Sequence, residues 1–260
     1  MIVCAAGDIH GSLDRLYADV LAFEASLGVR FEWVLHGGDF GVWPERERID
    51  RATRDHEGAG DFPAWFAEGR AVPRPTVFIK GNHEDFAWLE ERRGQEILPR
   101  LTYLPNGHAI DLGSGRSSIR VGGIGGCFGP SDFERAARRL QGYARRHYTR
   151  DDVELLCSRG RIEILLLHDA PAGVEFGQQL RDRRERRYVS QAAGLAEAVD
   201  RTRPRVCFFG HHHARVDVDV AGVPCMGLNL VGRPGNLVAV ELESPGRNWS
   251  VLGEWPQPPT

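Results

Sequence analysis

A layered α/β fold is the class this sequence predicts, and three observations carry it. Short β-branched or apolar runs alternate with stretches of helical periodicity along the chain. Glycine (31) and proline (15) are too plentiful for a helical bundle and suit a loop-rich sheet protein. The 260 residues suffice for one sizeable core and show no linker, tandem repeat or composition break, so a single domain over 1–260 is expected.

Taken in order, Ile2–Ala6 reads as a first strand. Leu13, Leu16, Val20, Phe23 and Leu27 then recur at helical spacing up to Gly28, where a C-terminal cap belongs. Phe31–Leu35 is a second strand running into His36-Gly37-Gly38-Asp39. Trp43 to Pro75 is charged and rich in glycine and proline, with Asp61 to Gly69 its better helix candidate. Thr76–Lys80 is a third strand entering Gly81-Asn82-His83-Glu84, with a helical stretch behind it to Gly94. Ala109–Leu112 and Ser118–Ile124 read as a β pair joined through 113–116. Ser131 and Glu134 have capping-box spacing for a helix burying Phe133, Ala136, Ala137, Leu140 and Ala144, and Thr149 and Asp152 repeat the signal before Val153–Cys157. Ile162–Leu167 is a continuous apolar strand leading into His168. The arginine-rich stretch Arg181 to Arg187 reads as a solvated face before a helix from Ser190 to Val199. Arg205–Phe209 is another buried-type strand, ending at Gly210-His211-His212-His213. The tail, about 215–252, reads as antiparallel strands completing the sheets, with turns at Ala221-Gly222, Arg233-Pro234-Gly235 and Pro245-Gly246.

Composition narrows the function classes. Apolar residues are 42% and charged residues 27%, a globular balance that argues against disorder. A net charge of −3 and a pI of about 6.4 remove the basic footprint of a DNA-coating protein. The five cysteines are scattered, odd in number and form no C-x-x-C, which fits reduced thiols in a cytoplasmic protein. No apolar run approaches the ~20 residues of a membrane span. Met1 to Ala6 has no basic flank and runs directly into Gly7-Asp8-Ile9-His10, so no cleavable signal is expected and no membrane partner.

The informative fact is where Asp, Asn and His fall. Five strands each end at such residues: Asp8 and His10, Asp39, Asn82 and His83, His168, and His211 and His213. Ligands of open α/β sheets bind outside the carboxyl ends of the strands, so five such ends converge on one crevice. A solitary D-x-H or H-x-H is weak; the ordered set is strong. His36, His56, His108 and His147 read instead as surface or packing residues, and His212 as facing away from its neighbours or toward substrate. Gly122 to Gly126 lacks phosphate-loop spacing and reads as a tight backbone passage.

In order, Asp8-Ile9-His10, Gly38-Asp39, Gly81-Asn82-His83-Glu84, His168 and Gly210-His211-His212-His213 resemble the motifs of the calcineurin-like metallophosphoesterases, over residues 7 to 213. The resemblance implies a four-layer αββα sandwich of two mixed sheets flanked by helices. It also implies two divalent cations. Asp8, His10 and His213 would hold one, Asn82, His168 and His211 the other, and Asp39 would bridge them. Paired cations of this kind clamp the attacking and leaving oxygens of an in-line displacement. Manganese is the expected metal, with iron, zinc and nickel as alternatives for a mixed carboxylate, amide and imidazole donor set. The resemblance further implies attack on a phosphate ester by a metal-bridging hydroxide, with His83 as the non-ligand histidine that stabilises the transition state or protonates the leaving oxygen.

One position departs. The second aspartate of the family's G-D-x-x-D falls at Val42, which removes the phosphoprotein-phosphatase signature and leaves nothing in the motif to orient His83. A phosphodiester or nucleotide-type substrate is accordingly favoured, small molecule or nucleic acid. The alternatives are a monoesterase or protein phosphatase of the same family, or a non-catalytic scaffold that binds protein.

Overall fold

A computed structural model describes residues 1–115, 118–176, 188–243 and 248–257. The Arg181–Arg187 cluster, the turn at Pro245-Gly246 and Arg116 lie outside the described residues. From the N-terminus come β1 (Ile2–Ala6), α1 (Leu13–Leu27), β2 (Trp33–His36), α2 (Arg51–Arg54), α3 (Asp61–Glu68), β3 (Thr76–Phe78) and α4 (Phe86–Glu90). Next are β4 (Glu96–Leu98), β5 (Leu101–Tyr103), β6 (His108–Leu112), β7 (Ile119–Ile124), α5 (Arg150–Cys157) and β8 (Ile164–Leu167). The chain finishes with β9 (Glu175–Phe176), β10 (Tyr188–Val189), α6 (Leu195–Thr202), β11 (Val206–Phe209), β12 (Val216–Val220), β13 (Val223–Gly227), β14 (Leu237–Leu242) and β15 (Trp249–Trp255).

Two mixed sheets result. The first has the order β15-β14-β1-β2-β3-β5-β4, with β1, β2, β3 and β5 parallel; the second has the order β12-β13-β11-β8-β7-β6, with β7, β8, β11 and β13 parallel. Period-two alternation along each parallel strand puts one set of side chains between the sheets and the other under helices. In β1, Val3 and Ala5 join the middle layer with Leu35, Val77, Ile164, Leu166 and Phe208, while Cys4 and Ala6 pack with Leu13, Leu16, Val20 and Phe23 of α1. In β8, Leu165 and Leu167 pack with Val153 and Leu156 of α5 and Leu195 and Val199 of α6. Three apolar layers between four structural ones are the αββα sandwich.

Local sequence explains the ends of the helices. Gly28, at φ 66°, caps α1 and its N–H donates to the Glu24 carbonyl. At α5 the Thr149 side chain accepts the Asp152 N–H while Asp152 accepts the Thr149 N–H, the reciprocal box expected there.

Three expectations need correction. Residues 131–144 do not form an α-helix; they hold turns and two 3₁₀ segments, Ala137–Arg139 and Gly142–Arg146. The groups that would build that helix are engaged elsewhere: Asp132 accepts from Arg135 and His147, Asp151 takes the Ala137 N–H, and the Phe133 carbonyl accepts from Arg150. The helix placed at Ser190 to Val199 begins instead at Leu195, because Ser190 bonds back to Ala170 and Val174. In the tail, β13 runs parallel to β11 rather than joining a purely antiparallel set. The hairpin of β4 and β5 has no counterpart in the sequence reading, although β5 extends the first sheet beside β3.

Candidate metal centre

The residues at the carboxyl ends of β1, β2, β3, β8 and β11 meet at one rim. Asp8, His10 and His213 each offer a ligand atom within 4.8 Å of the others, and so do Asp39, His168 and His211. Within the first triad, His213 Nε2 lies 3.0 Å from Asp8 Oδ2 and 3.3 Å from His10 Nε2. Asp39 stands between the triads. Its Oδ2 is 3.8 Å from His10 Nε2 and its Oδ1 is 3.6 Å from His168 Nε2, one oxygen turned toward each group. Asn82 joins the second triad, with Oδ1 2.9 Å from His168 Nε2.

The donor chemistry suits cations. His168 Nδ1 is 2.9 Å from the Gly37 carbonyl oxygen, which only accepts, so Nδ1 carries a hydrogen and the ring is held with its other nitrogen toward the site. Nε2 faces the oxygens of Asn82 and Asp39. Three potential ligand atoms thus converge at one point, an arrangement a cation can occupy. Protonation states agree with ligation. Burial pushes the Asp8 and Asp39 carboxyls up, but the imidazoles around them outweigh it and hold both below the usual carboxylate range. Burial holds His10 down against the pull of Asp39 and Asp8. His211 is brought down to about 4 by burial and by His168 beside it. Ionised carboxylate and neutral imidazole are the forms that bind metal. His213 differs: burial lowers it, but its contact with Asp8 and the charges of Asp8 and Asp39 raise it on balance.

The backbone around these residues is strained. Among the described residues seven non-glycines have positive φ, and four of them are His10, Asp39, His211 and His213. Left-handed backbone at such residues persists only where the surroundings enforce it, and it concentrates at functional sites. Two glycines make room for the carboxylates: a Cβ on Gly81 would strike Asp39, and one on Gly210 would strike Asp8. Glu84 is buried and accepts N–H bonds from Phe40 (2.8 Å), Gly41 (3.1 Å), Val42 (2.6 Å) and Gly81 (3.4 Å), binding the Asp39 turn to the Asn82 turn.

His83 borders the site, its ring 5.5 Å from that of His10. Its backbone N–H donates to Asp39 Oδ1 at 2.8 Å, and its Nδ1 lies 2.6 Å from Asp50 Oδ2. Burial lowers His83, but the Asp50 contact and the Asp39 charge raise it above the ordinary histidine value.

Sequence reasoning missed three participants. Asp50 lies in the charged 43–75 region, where its spacing to Thr53 signals a helix cap but nothing signals a contact 33 residues away. His56 stacks on His10 with ring centroids 4.2 Å apart, is brought down to about 4 by burial and by His10, and lines a cleft of about 810 Å³ with Ser12, Arg15, Asp61 and Arg233. Asp169 accepts from the backbone of Phe128 and Ala170 and lies 3.0 Å from His212 Nε2. It makes a third triad with His211 and His212, but its oxygens are already engaged. Of the other histidines, His36 is buried against Phe40, His147 pairs with Asp132, and His108 Nδ1 lies against the Asn106 carbonyl oxygen.

Comparison with known proteins bears on this geometry. The profile of the calcineurin-like phosphoesterase family matches residues 1–215. Lariat debranching enzymes are among the similar proteins: 25% identity in Drosophila melanogaster over 83% of this chain and 43% of the relative, and 26% in Danio rerio over 83% and 40%. The Arabidopsis thaliana protein of that name is 24% identical over 83% of this chain and 55% of its own length. The chain thus spans about half the length of these curated relatives. A solved structure superposes with a TM-score of 0.56 over 92% of this chain and 93% of its own, at 14% identity, a likeness of fold.

Proposed function

The chain belongs to the calcineurin-like phosphoesterase family, and we propose that it is a metal-dependent phosphodiesterase acting on a nucleotide-type diester, organised as one domain over 1–260. The single observation that carries this reading is Asp39, whose two oxygens are divided between two ligand triads. Asp8, His10 and His213 would hold one cation and Asn82, His168 and His211 the other. Manganese is the proposed metal, in keeping with oxygen and imidazole donors together. When bound, such a pair supplies Lewis-acid polarisation of the phosphoryl oxygens and an acidified water.

The protein's own residues do the rest. Asp8 and Asp39 carry the negative charge that fixes the cation positions, and Glu84 and the two glycines hold those carboxylates in place. His83, raised above its ordinary value and with Nδ1 engaged by Asp50, presents Nε2 as the proton donor for the departing oxygen. The cleft beside His56 is where the remainder of a diester fits. Two observations favour a diester over a monoester: that open cleft, and the name of the similar proteins, lariat debranching enzymes.

The test is hydrolysis of bis-p-nitrophenyl phosphate and p-nitrophenyl phosphate with added Mn²⁺, followed by a lariat-type substrate. We expect metal-dependent turnover of the diester, lowered at least about 100-fold in Asp39→Asn. Turnover of the monoester alone would overturn the diester preference. Turnover that needs no metal would overturn the metal-dependent reading, and none on any ester or nucleotide would leave the non-catalytic scaffold.

A further inference from the structure

We propose that Asp50 is the positioning residue for His83, supplied from outside the metal-binding motifs to the place that Val42 leaves empty of charge. The loop after β2 carries both. Val42 is fully buried and apolar, and its backbone N–H is taken by Glu84, so neither it nor Glu84 is free to meet the histidine. Eight residues later the chain returns at the start of α2, and the Asp50 carboxylate faces two ways. Oδ1 accepts the Thr53 N–H at 2.7 Å and caps α2; Oδ2 lies 2.6 Å from His83 Nδ1. A carboxylate fixed by a backbone donor on one side holds the ring on the other, sets the hydrogen on Nδ1 and leaves Nε2 for the substrate.

A second ion pair latches the arm. Arg48 Nη2 lies 2.7 Å from Asp85 Oδ2, and Asp85 caps α4 by accepting the Trp88 N–H. The two segments therefore clasp reciprocally: the cap of α2 meets His83, and the cap of α4 meets Arg48, two residues before Asp50. Two cross-links of opposite polarity fix the arm in register, which one alone would not. This assignment rests on the phosphoesterase reading for its kinetic consequence and on geometry alone for the contact.

Two variants separate the roles of Asp50. Asp50→Ser keeps a helix cap but cannot reach His83; Asp50→Ala removes both. In metal-free protein labelled with ¹⁵N-histidine, the wild type should show a downfield Nδ1–H proton that disappears in His83→Ala and in both Asp50 variants. With Mn²⁺ present, kcat on a diester with a poor alkoxide leaving group should fall about 10- to 100-fold in Asp50→Ser with KM and metal content unchanged. The loss on a p-nitrophenolate diester, which departs without a proton, should be far smaller. Arg48→Gln should produce a weaker version of the same pattern. An unchanged Nδ1–H signal in Asp50→Ser overturns the contact. A lost signal with undiminished kcat on the poor leaving group overturns the positioning role. A wild type without esterase activity sinks the phosphoesterase reading, and the spectrum still judges the contact.

Discussion

Glu84 accepts hydrogen bonds from four backbone N–H groups, three of them consecutive in the turn that carries Asp39. Its carboxyl group is therefore the fixed point about which Asp39 is set; burial and the Asp39 charge beside it push it up to about 8, while the N–H groups of Val42, Gly81 and Phe40 pull the other way and favour the ionised, acceptor-only form. Glu84→Gln replaces one acceptor oxygen by an NH₂ that faces further donors, leaving at least one N–H buried and unpaired. Each such group costs about 1–3 kcal/mol, so we expect a loss of about 3 kcal/mol in urea unfolding and weaker Mn²⁺ binding by calorimetry. A loss below about 1 kcal/mol would show that the turn holds its shape without this residue. The same scale exposes a limit of sequence reasoning. The motif residues around Glu84 were legible because their order along the chain is distinctive, whereas the Asp50–His83 contact joins positions with no shared pattern.

At the scale of elements, strand ends made the site legible and irregular loops hid its surroundings. β1, β3, β8 and β11 show as apolar runs because both faces are buried, and each places its candidate ligands within four residues of the strand's end. β4 and β5 were hidden because two three-residue strands joined through Pro99-Arg100 carry too few alternations to register, whereas the equally short β3 is prolonged by the buried Ile79. The 131–144 segment has the spacing of a helix but spends its polar groups on His147, Arg150 and Asp151, a tertiary choice that local pattern cannot foresee. The Thr149 box does depend on local pattern, and Thr149→Ala should cost about 1 kcal/mol of stability, read from the denaturation midpoint. The loop carrying His56 leads to a kinetic prediction. His56 lines the cleft while its ring packs on His10, so His56→Ala should raise KM for a dinucleotide diester several-fold more than for bis-p-nitrophenyl phosphate. Equal changes for both substrates would mean that His56 serves only to support His10.

Across the whole molecule, three apolar layers hold the strand ends in one plane, and the polar groups stranded at the edge of those layers make stability depend on pH. His36, at the end of β2, is fully buried; its Nδ1 accepts the Gly38 N–H at 3.2 Å, and its Nε2 finds no partner among the described residues. Burial brings its folded value down from 6.5 to about 3, against smaller upward pulls from Asp8 and Asp39. The unfolded chain therefore takes up a proton near pH 6.5 that the folded protein refuses until about pH 3. The stabilisation from neutral His36 is fully present above the unfolded value and drains away as pH falls through that window. Between pH 7 and about pH 4.5 it should remove on the order of 3 kcal/mol. Other groups titrate in the same interval, so the reading is a difference. In metal-free protein, His36→Asn keeps an acceptor for Gly38 but no titrating ring, and its unfolding free energy should fall less over this interval by about that amount. Parallel pH profiles for the two proteins would show that the buried imidazole charges as readily in the fold as outside it.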